Sequence, residues 1–387
     1  MTPSRRPRVV IASRLYVPEP SAASFRIAAL ARASADDGAD VTVLTSTAPR
    51  GAGTAAPVRG VRVRRAPVLR DVAGAIRGYI PYLSFDLPVF FRMLFSRADV
   101  FVAEAPPTTG LVALVAARLR RRPLVYYPGD VWTDGVISMG APDAVVGVMR
   151  AVERRVLRGA RTILSVSPEV TERLVAIGAD PARIVLVGNG IDTDTFMPSV
   201  AAPEVERPYF VYAGTMSEWQ RPEAFVEALA QVEDVDLRFF GGGTSLPAIE
   251  AAAARLTPGR VHIGGVVSPA ESAAWMRGAV AALVSIVPGI GYDFARPTKT
   301  YAAAAVGTPV LYAGAETGGR IVTDAGLGEA VALDAAEIAD AMRRLLASRD
   351  DAERSREARS SWAKANVSLA GVGRRAAEAV AAVARRR

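Results

Sequence analysis

Residues 289–311 combine several features that suit the binding of an anion. Pro297 and Thr298 are typical of a helix N-terminus, where free backbone N–H groups and the helix dipole attract negative charge. Lys299 follows in the first turn, where a cation opposes that dipole unless it meets an anion. The chain has 47 basic residues, and only two of them, Lys299 and Lys364, are lysines. We therefore expect Lys299 to contact a phosphate or hydroxyl group, with an incidental surface lysine as the alternative.

Two further segments place glycines where a strand is expected to end. The first ends at Gly214, and the second ends in a run of three glycines that includes Gly242. A glycine-rich turn lets the backbone approach a phosphate, although glycine also ends many strands that bind nothing.

The composition excludes several kinds of chemistry. The chain has no cysteine, which excludes disulfide frameworks, cysteine-ligated zinc or iron–sulfur sites and cysteine nucleophiles. A serine–histidine–aspartate triad could rest only on His262, the single histidine. The formal charge of +8 reflects an arginine-rich composition that is typical of GC-rich coding. Because no recognition motif accompanies this charge, we expect no nucleic-acid partner.

Short β-branched runs alternate with helical segments, which predicts parallel sheets covered by helices on both faces. A stretch rich in proline and small residues, 197–208, is the best candidate for a linker. The sequence therefore predicts an α/β protein with two Rossmann-like, doubly wound domains facing a cleft. We expect an N-terminal domain over 1–196, a C-terminal domain over 209–364 and a final helix over 365–387. Ligands of such sheets bind outside the carboxyl ends of the strands.

Residues 79–95 carry six aromatic side chains and are bordered by arginines. This combination suits a membrane interface or a lipid-like ligand, and the alternative is an aromatic helix packed on a sheet. No apolar stretch is long enough to predict a transmembrane helix, and the short apolar run at the N-terminus fits a first strand better than a signal peptide. We expect a cytoplasmic protein, either soluble or attached peripherally to the inner face of the membrane.

Several motifs of the second half resemble those of retaining family 4 glycosyltransferases. Asn189-Gly190-Ile191-Asp192 resembles the motif of their hinge region. Pro297-Thr298-Lys299, together with Gly307-Thr308-Pro309-Val310, resembles their donor-site helix. Residues 261–266 resemble the strand and loop that meet the nucleobase.

Two segments of the first half are similar to acceptor-side parts of the same family. Residues 18–26 resemble a loop near the acceptor. Asp130-Val131-Trp132 is similar to a segment of members that act on cell-surface or lipid-linked saccharides. The resemblance covers nearly the whole chain, with the motifs in the right order.

The resemblance implies a GT-B fold and transfer of a sugar from a nucleotide-diphosphate donor with retention of configuration. It implies a hexosyltransferase that needs no metal or other cofactor and takes a saccharide or lipid-linked acceptor, as in cell-envelope polysaccharide synthesis. The acceptor hydroxyl would attack on the face of the leaving diphosphate and pass its proton to it, while N–H groups and cations stabilise the leaving charge.

The sequence departs from the family pattern at four positions. Two glutamates eight positions apart are usual around the donor helix, and these positions are Phe294 and Ala302 here. An arginine and a lysine usually contact the diphosphate, and these positions are Thr215 and Gln220, with Arg221 next to the latter. We expect a variant donor site in which Lys299, Arg221 and the helix N-terminus hold the diphosphate.

The site residues implied by this resemblance fall into three groups. Asp130 and Lys299 are the expected catalytic residues, and a turn or helix cap is the alternative role for Asp130. The expected donor-site residues are Gly214, Thr215, Gln220, Arg221, Gly242, Val266, Tyr292, Asp293, Phe294, Pro297, Thr298, Lys299 and Thr300. The expected acceptor-site residues are Glu19, Ser21, Arg26 and Trp132.

Two other functions compete with this interpretation. The missing glutamates would also fit a catalytically degenerate scaffold or regulatory protein. A non-hydrolysing sugar-nucleotide epimerase uses a similar fold, but it needs acid–base residues that the sequence does not offer at a plausible place. We expect His262 to be structural or to lie near the nucleobase.

Overall fold

Parallel strands separated by helices form two sheets, one in each half of the chain. The structure, a computed structural model, describes residues 6–19, 21–49, 52–54, 57–71, 74, 76, 78–138 and 140–385. One compact unit runs up to Asn189 and resumes at Leu369, and the other is Gly190–Ser368.

The first unit contains seven strands among the described residues. They are β1 (Arg8–Ala12), β2 (Asp40–Ser46), β3 (Val61–Ala66), β4 (Val100–Glu104), β5 (Leu124–Tyr127), β6 (Thr162–Ser165) and β7 (Ile184–Leu186). Its helices are α1 (Ala22–Asp36), α2 (Tyr79–Leu94), α3 (Pro107–Leu119), α4 (Trp132–Ser138), α5 (Asp143–Gly159), α6 (Pro168–Ile177) and, from the C-terminal part of the chain, α15 (Leu369–Arg385).

The second unit contains a six-stranded sheet. Its strands are β8 (Tyr209–Thr215), β9 (Asp236–Gly242), β10 (Val261–Ile263), β11 (Ala282–Ile286), β12 (Val310–Gly314) and β13 (Gly328–Val331). Its helices are α7 (Ala224–Leu229), α8 (Leu246–Leu256), α9 (Pro269–Gly278), α10 (Thr298–Val306), α11 (Glu316–Asp324), α12 (Ala335–Ala347), α13 (Arg349–Arg354) and α14 (Arg356–Val367). No helix among the described residues has the length and apolar character needed to cross a membrane.

Both sheets are parallel and doubly wound. The first has the order β3-β2-β1-β4-β5-β6-β7 and the second the order β10-β9-β8-β11-β12-β13. Every residue of β4 and β5 is buried, which explains why these strands are apolar or aromatic at every position except Glu104. The strand order reverses between β1 and β4 and between β8 and β11, and these are the positions where such sheets bind ligands.

The final helix packs on the first helix of the chain. A Cβ atom added to Gly373 of α15 would lie 2.7 Å from the carbonyl oxygen of Ala29 in α1. Glycine therefore lets the two helix backbones approach more closely than any other residue would allow. The Arg375 Nε atom donates to the Val187 carbonyl at 2.9 Å and ties α15 to the end of the sheet.

The predicted strands are all present, but the domain boundaries differ from the prediction. The boundary lies between Asn189 and Gly190 rather than after residue 196, and the expected linker 197–208 belongs to the second unit. The Ile191 amide donates to the Val367 carbonyl, and Phe196 is buried in the second core. The helix predicted over 365–387 is two helices, because Ser368 has an extended conformation that ends α14.

The close packing of α15 on α1 leads to a stability prediction. Gly373→Ala should lower the free energy of unfolding by about 1–3 kcal/mol, since overpacking forces the helices apart. Gly147→Ala is the control, because Gly147 is an exposed helical residue with no atom within 4 Å of an added Cβ. It should raise the free energy by up to about 1 kcal/mol. Denaturant unfolding followed by circular dichroism measures both, and equal effects would contradict the predicted overpacking.

Candidate active site

The carboxyl ends of β8 and β11 lie where the strand order of the second sheet reverses. Strand β8 ends at Thr215 and β11 ends at Ile286, and α10 begins at Thr298 after the loop that follows β11. Because ligands of doubly wound sheets bind at such a point, we take this edge as the candidate site of the second unit and call it the β8–β11 edge.

Glycine is required where backbones approach each other at this edge. Gly214 and Gly241 both have φ 126°, a conformation that L side chains rarely adopt. A Cβ on Gly241 would lie 2.0 Å from the Gly214 carbonyl oxygen, and a Cβ on Gly214 would lie 3.5 Å from Lys299 Cε. Gly242 differs, because a Cβ atom added there would meet nothing within 4 Å and would point into open space.

The Lys299 side chain is buried at this edge. Its Nζ atom donates to the Thr215 carbonyl oxygen at 3.3 Å and lies 3.7 Å from the centre of the Tyr212 ring. Burial lowers the pKa of Lys299 to about 7, because the charged amine loses water. An anion at this position would compensate the charge and restore the protonated form.

Gln220 supports the Lys299 contact by holding the Tyr212 side chain, on whose ring the amine lies. The Tyr212 hydroxyl donates to Gln220 Oε1 at 3.0 Å, and Ser217 Oγ lies 3.2 Å from the same oxygen. The Ser285 hydroxyl donates to the Gln220 carbonyl at 2.5 Å, which joins the end of β11 to this segment. Gln220 is buried. The structure therefore gives this predicted donor ligand a bracing role in holding the Tyr212 ring.

Arg221 lies on the surface beside this bracing group. It has a positive φ of 46°, and its Nη2 atom donates to Glu227 Oε2 at 3.0 Å. Its guanidinium group is therefore already paired with a carboxylate, and an incoming diphosphate would have to compete with Glu227 for it.

Three aromatic rings form a row at this edge. Trp219 comes from the segment after β8, and Tyr292 and Phe294 come from the loop after β11. Trp219 and Tyr292 stack with ring centres 5.1 Å apart, and Tyr292 and Phe294 stack at 6.3 Å. The Val287 amide donates to the Trp219 carbonyl, which anchors the row to the end of β11. Asp293 Oδ1 accepts from the Gly289 amide at 2.8 Å, so this carboxylate closes the loop in addition to any role toward a ligand.

Helix α10 begins at this edge without a side-chain cap. Pro297 is its N-cap, and no side chain within the described part of the chain caps its first turn. The Thr300 amide bonds to the Pro297 carbonyl, and Thr300 is buried. The amide groups near Thr298 and Lys299 therefore offer the dipole end to an anion. Ala302 is buried inside this helix and presents no polar group.

Val266 and His262 belong to the strand and loop beside β9. Val266 is highly exposed in the loop after β10, and the preceding Gly265 carbonyl accepts from the Gly241 amide at 2.6 Å. His262 Nε2 lies 3.0 Å from Asp236 Oδ2, across the β9–β10 pair. This contact gives His262 a structural partner away from Lys299.

The first unit has its own reversal point, at the carboxyl ends of β1 and β4. Glu104 ends β4 and is buried, with Arg26 Nη2 3.4 Å from Oε1 and the Ser13 hydroxyl 3.3 Å from Oε2. Burial raises the pKa of Glu104, against the opposing effect of Arg26 and Arg14. Arg26 also lies over the Tyr127 ring at 5.0 Å. The structure thus buries Arg26, an expected acceptor ligand, in an ion pair.

Arg14 is a buried cation that sequence reasoning misses. Its guanidinium carbon lies 4.0 Å from the centre of the Tyr82 ring and 5.8 Å from that of Trp132. Its Nε and Nη1 atoms are buried without a hydrogen-bond partner among the described residues. The sequence contains a signal, since Arg14 lies two residues after the end of the first strand, but a generally basic N-terminus explains the same residue equally well.

Asp130 and Trp132 lie together at the end of β5. Part of the Asp130 residue is exposed, but the protein atoms around its carboxylate displace water and raise its pKa; Arg26 opposes this effect and Asp134 reinforces it. The amides of Trp132 and Thr133 donate to the buried Glu153 carboxylate, each at 3.0 Å. Glu153, which sequence reasoning also misses, therefore fixes the start of α4.

Glu19 and Ser21 have structural partners. Arg70 Nη1 and Nη2 contact the two Glu19 carboxylate oxygens, each at 2.9 Å. The Ser21 hydroxyl accepts from the Ser24 amide at 3.0 Å and caps α1. Both side chains therefore have structural roles, and each keeps hydrogen-bonding capacity beyond these bonds.

Among the described residues, no group of three or more histidine, cysteine, aspartate or glutamate side chains is arranged to hold a metal ion. Within the second unit, the structure brings Gly214, Thr215 and Lys299 into contact and places Tyr292, Asp293, Phe294, Pro297, Thr298 and Thr300 on the loop and helix that follow β11.

Two family models match consecutive parts of the chain. A glycosyl transferase 4-like domain matches residues 21–190, and a glycosyl transferases group 1 domain matches residues 207–348. A D-inositol 3-phosphate glycosyltransferase of Xylanimonas cellulosilytica is 30% identical over 181 residues. The aligned part is 42% of this chain and 42% of that relative.

Solved structures of glycosyltransferases share the fold. Sucrose-phosphate synthase from Thermosynechococcus elongatus aligns with a TM-score of 0.76 at 17% identity, over 95% of this chain and 96% of that one. Anabaena Alr3699/HepE in complex with UDP-glucose aligns with a TM-score of 0.72 at 14% identity, over 97% of this chain and 99% of that one. With its two Rossmann-like domains and its two matching family models, the chain belongs to the GT-B glycosyltransferases of the family 4 type.

Proposed function

We propose that the protein transfers a hexose from a nucleotide-diphosphate donor to a saccharide or lipid-linked acceptor. The transfer retains the anomeric configuration and uses no metal ion. The observation that carries this proposal is the buried Lys299 amine at the N-terminus of α10, in the domain that matches the group 1 model. A buried cation is costly unless an anion compensates it, and a diphosphate supplies that anion.

The chemistry is electrostatic stabilisation of the leaving diphosphate. Negative charge grows on the bridging oxygen as the glycosidic bond breaks, and Lys299 with the amide groups of α10 stabilises it. The acceptor hydroxyl attacks on the same face and passes its proton to the departing phosphate. Asp130, which follows β5 and is exposed, is the residue proposed to hydrogen-bond an acceptor hydroxyl and position it.

The aromatic row replaces the usual acidic contacts of the donor site in this proposal. Phe294 and Ala302 offer no carboxylate, so sugar and ribose hydroxyls must bond elsewhere. Tyr292 and Asp293, of which the Oδ1 atom already accepts from the Gly289 amide, are polar groups of the loop that could take these bonds, and Trp219 and Phe294 offer apolar faces. Because the HepE structure holds UDP-glucose, uridine donors are the first to test.

A catalytically degenerate scaffold is the second candidate. It is favoured by Phe294 and Ala302, and by the engagement of Gln220 and Arg221 with Tyr212 and Glu227. The two candidates differ in whether the β8–β11 edge binds a nucleotide, and in whether a sugar is transferred.

Nucleotide binding gives the first prediction. In a thermal-shift screen of ADP, GDP, UDP and their sugars, at least one ligand should raise the melting temperature. A concentration of 100 Kd stabilises the folded state by about 2.7 kcal/mol, which is a shift of roughly 2–4 °C. Lys299→Met should weaken this ligand at least about tenfold, the effect of 1.4 kcal/mol. Lys364→Met, at the exposed second lysine, is the matched control, and a screen without any hit favours the scaffold.

The pH dependence of binding gives a second prediction. Lys299 has a pKa of about 7 in the free protein, and a bound diphosphate favours its charged form. Binding should therefore take up a proton, and the affinity should fall as the pH rises above 7, by at most about tenfold per pH unit. Isothermal titration calorimetry measures this. Lys299→Arg stays charged, so its affinity relative to the wild type should increase with pH; a constant ratio would refute the role of Lys299.

The transfer reaction gives a third prediction. With a donor identified by the screen, activity should persist in EDTA, because protein cations stabilise the diphosphate. Proton NMR of the early product should show the anomeric configuration of the donor. Loss of activity in EDTA that Mg²⁺ or Mn²⁺ restores would overturn metal independence, and an inverted anomer would overturn retention.

A further inference from the structure

Helix α2 exposes a continuous apolar face. Its inner face is buried through Phe85, Asp86, Val89 and Met93. Its outer face presents large apolar side chains at intervals of three or four residues, the spacing of one side of a helix. These residues are Ile80, Leu83, Leu87, Phe91 and the C-cap Phe95, which are 70%, 61%, 55%, 49% and 81% exposed. We call this set the α2 stripe.

The α2 stripe is larger than the isolated apolar residues of an ordinary protein surface. With a rise of 1.5 Å per residue, it extends about 22 Å along the helix. Leu69 adds to it, since this exposed residue donates its amide to the Ser84 hydroxyl of α2. A contiguous apolar surface of this kind marks a site of interaction.

The surroundings of the stripe are cationic. Asp86 is the one acidic residue of segment 79–97, and it is buried, with the Thr109 hydroxyl donating to it at 2.5 Å. Arg92 Nη2 donates to the Arg64 carbonyl at 2.7 Å, which places the exposed edge strand β3 beside α2. Burial and the neighbouring Arg64 lower the pKa of Arg92. Arg97 is exposed two residues after Phe95.

We propose that the α2 stripe binds the surface of an anionic phospholipid bilayer. The apolar and aromatic side chains would enter the boundary between headgroups and acyl chains, and Arg64, Arg92 and Arg97 would meet lipid phosphates. An apolar helix face with a cationic border fits such a surface. A second copy of this chain offers only the same cationic border and no exposed carboxylate on segment 79–97, so its charge is not complementary.

Membrane binding is independent of the proposed transfer reaction. It follows from α2 and β3 of the first unit, whereas the nucleotide site follows from the second unit. A lipid-linked acceptor would explain why the enzyme binds a membrane through the α2 stripe. Vesicle binding can nevertheless be measured without donor or acceptor. Each proposal can therefore fail without the other.

Vesicle sedimentation tests the proposal with the full chain. The protein should sediment at low salt with vesicles of phosphatidylcholine and phosphatidylglycerol at a molar ratio of seven to three, and much less with phosphatidylcholine alone. The double variant Leu83→Ser, Phe91→Ser should reduce the partition coefficient about tenfold or more, since each apolar side chain contributes more than 1 kcal/mol when buried. Val148→Ser, at an exposed position of α5, should leave it unchanged.

Charge reversal tests the cationic border. Arg64→Glu with Arg97→Glu should reduce binding to the anionic vesicles about tenfold or more, because each arginine near the surface contributes about 1 kcal/mol. Arg349→Glu, at an exposed position of the second unit, is the matched control. Circular dichroism checks that each variant is folded.

The Phe95→Trp variant reports whether the α2 stripe inserts into the bilayer. Its fluorescence should be quenched by doxyl-labelled lipid in the anionic vesicles, beyond the quenching of the wild type. Failure of the folded wild type to bind anionic vesicles at low salt would overturn the proposal, as would equal binding by the stripe variants. A concentration-dependent dimer in sedimentation velocity that is lost in Leu83→Ser, Phe91→Ser, without vesicle binding, would assign the stripe to a second copy.

Discussion

The burial of one amine, that of Lys299, organises the β8–β11 edge. Lys299 Nζ rests on the Tyr212 ring and the Thr215 carbonyl, and its location in the first turn of α10 sets a cation against a helix dipole. Gly214, whose φ of 126° favours glycine, brings the strand end within van der Waals reach of the Lys299 side chain. Gln220 must hold the Tyr212 hydroxyl, and Ser285 must hold Gln220. Burial of the charged amine is thus an electrostatic cost, which the diphosphate of the proposed reaction would offset.

The two units place their polar residues at equivalent points of their sheets but use them differently. In the first unit, the reversal point is filled by a buried carboxylate, Glu104, with Arg26 and Arg14 around it. In the second unit, the reversal point holds a cation whose neighbours are a carbonyl group and a ring. A carboxylate surrounded by arginines offers hydrogen-bonding groups to neutral hydroxyls, whereas a buried amine favours an anion such as phosphate. In the proposed reaction, the first unit would use its edge for the acceptor and the second unit would use its edge for the donor.

The sequence predicts the strands, the fold family and the position of Lys299, because these depend on local patterns and on residues adjacent in the chain. It does not predict the partners of Glu19 or Arg26. Glu19 binds Arg70 across 51 positions, and Arg26 meets Glu104 across 78. Such pairs depend on how strands and helices pack, which no local pattern encodes. The break at Ser368 escapes prediction for the same reason, since the bridge from Ile191 that accompanies it joins distant parts of the chain.

The return of the chain to the first unit has a consequence for synthesis on the ribosome. Strands β1–β7 and helices α1–α6 emerge first, yet the surface of α1 around Ala29 is covered only when Gly373 of α15 has been made. The whole second unit is translated in between. The first unit therefore stays incompletely packed, with apolar surface of α1 exposed, until α15 has been synthesised. The second unit can fold once α14 has left the ribosome. The N-terminal unit therefore cannot be completed before the C-terminal unit has been synthesised, which differs from the usual N-terminal-first order of multidomain chains.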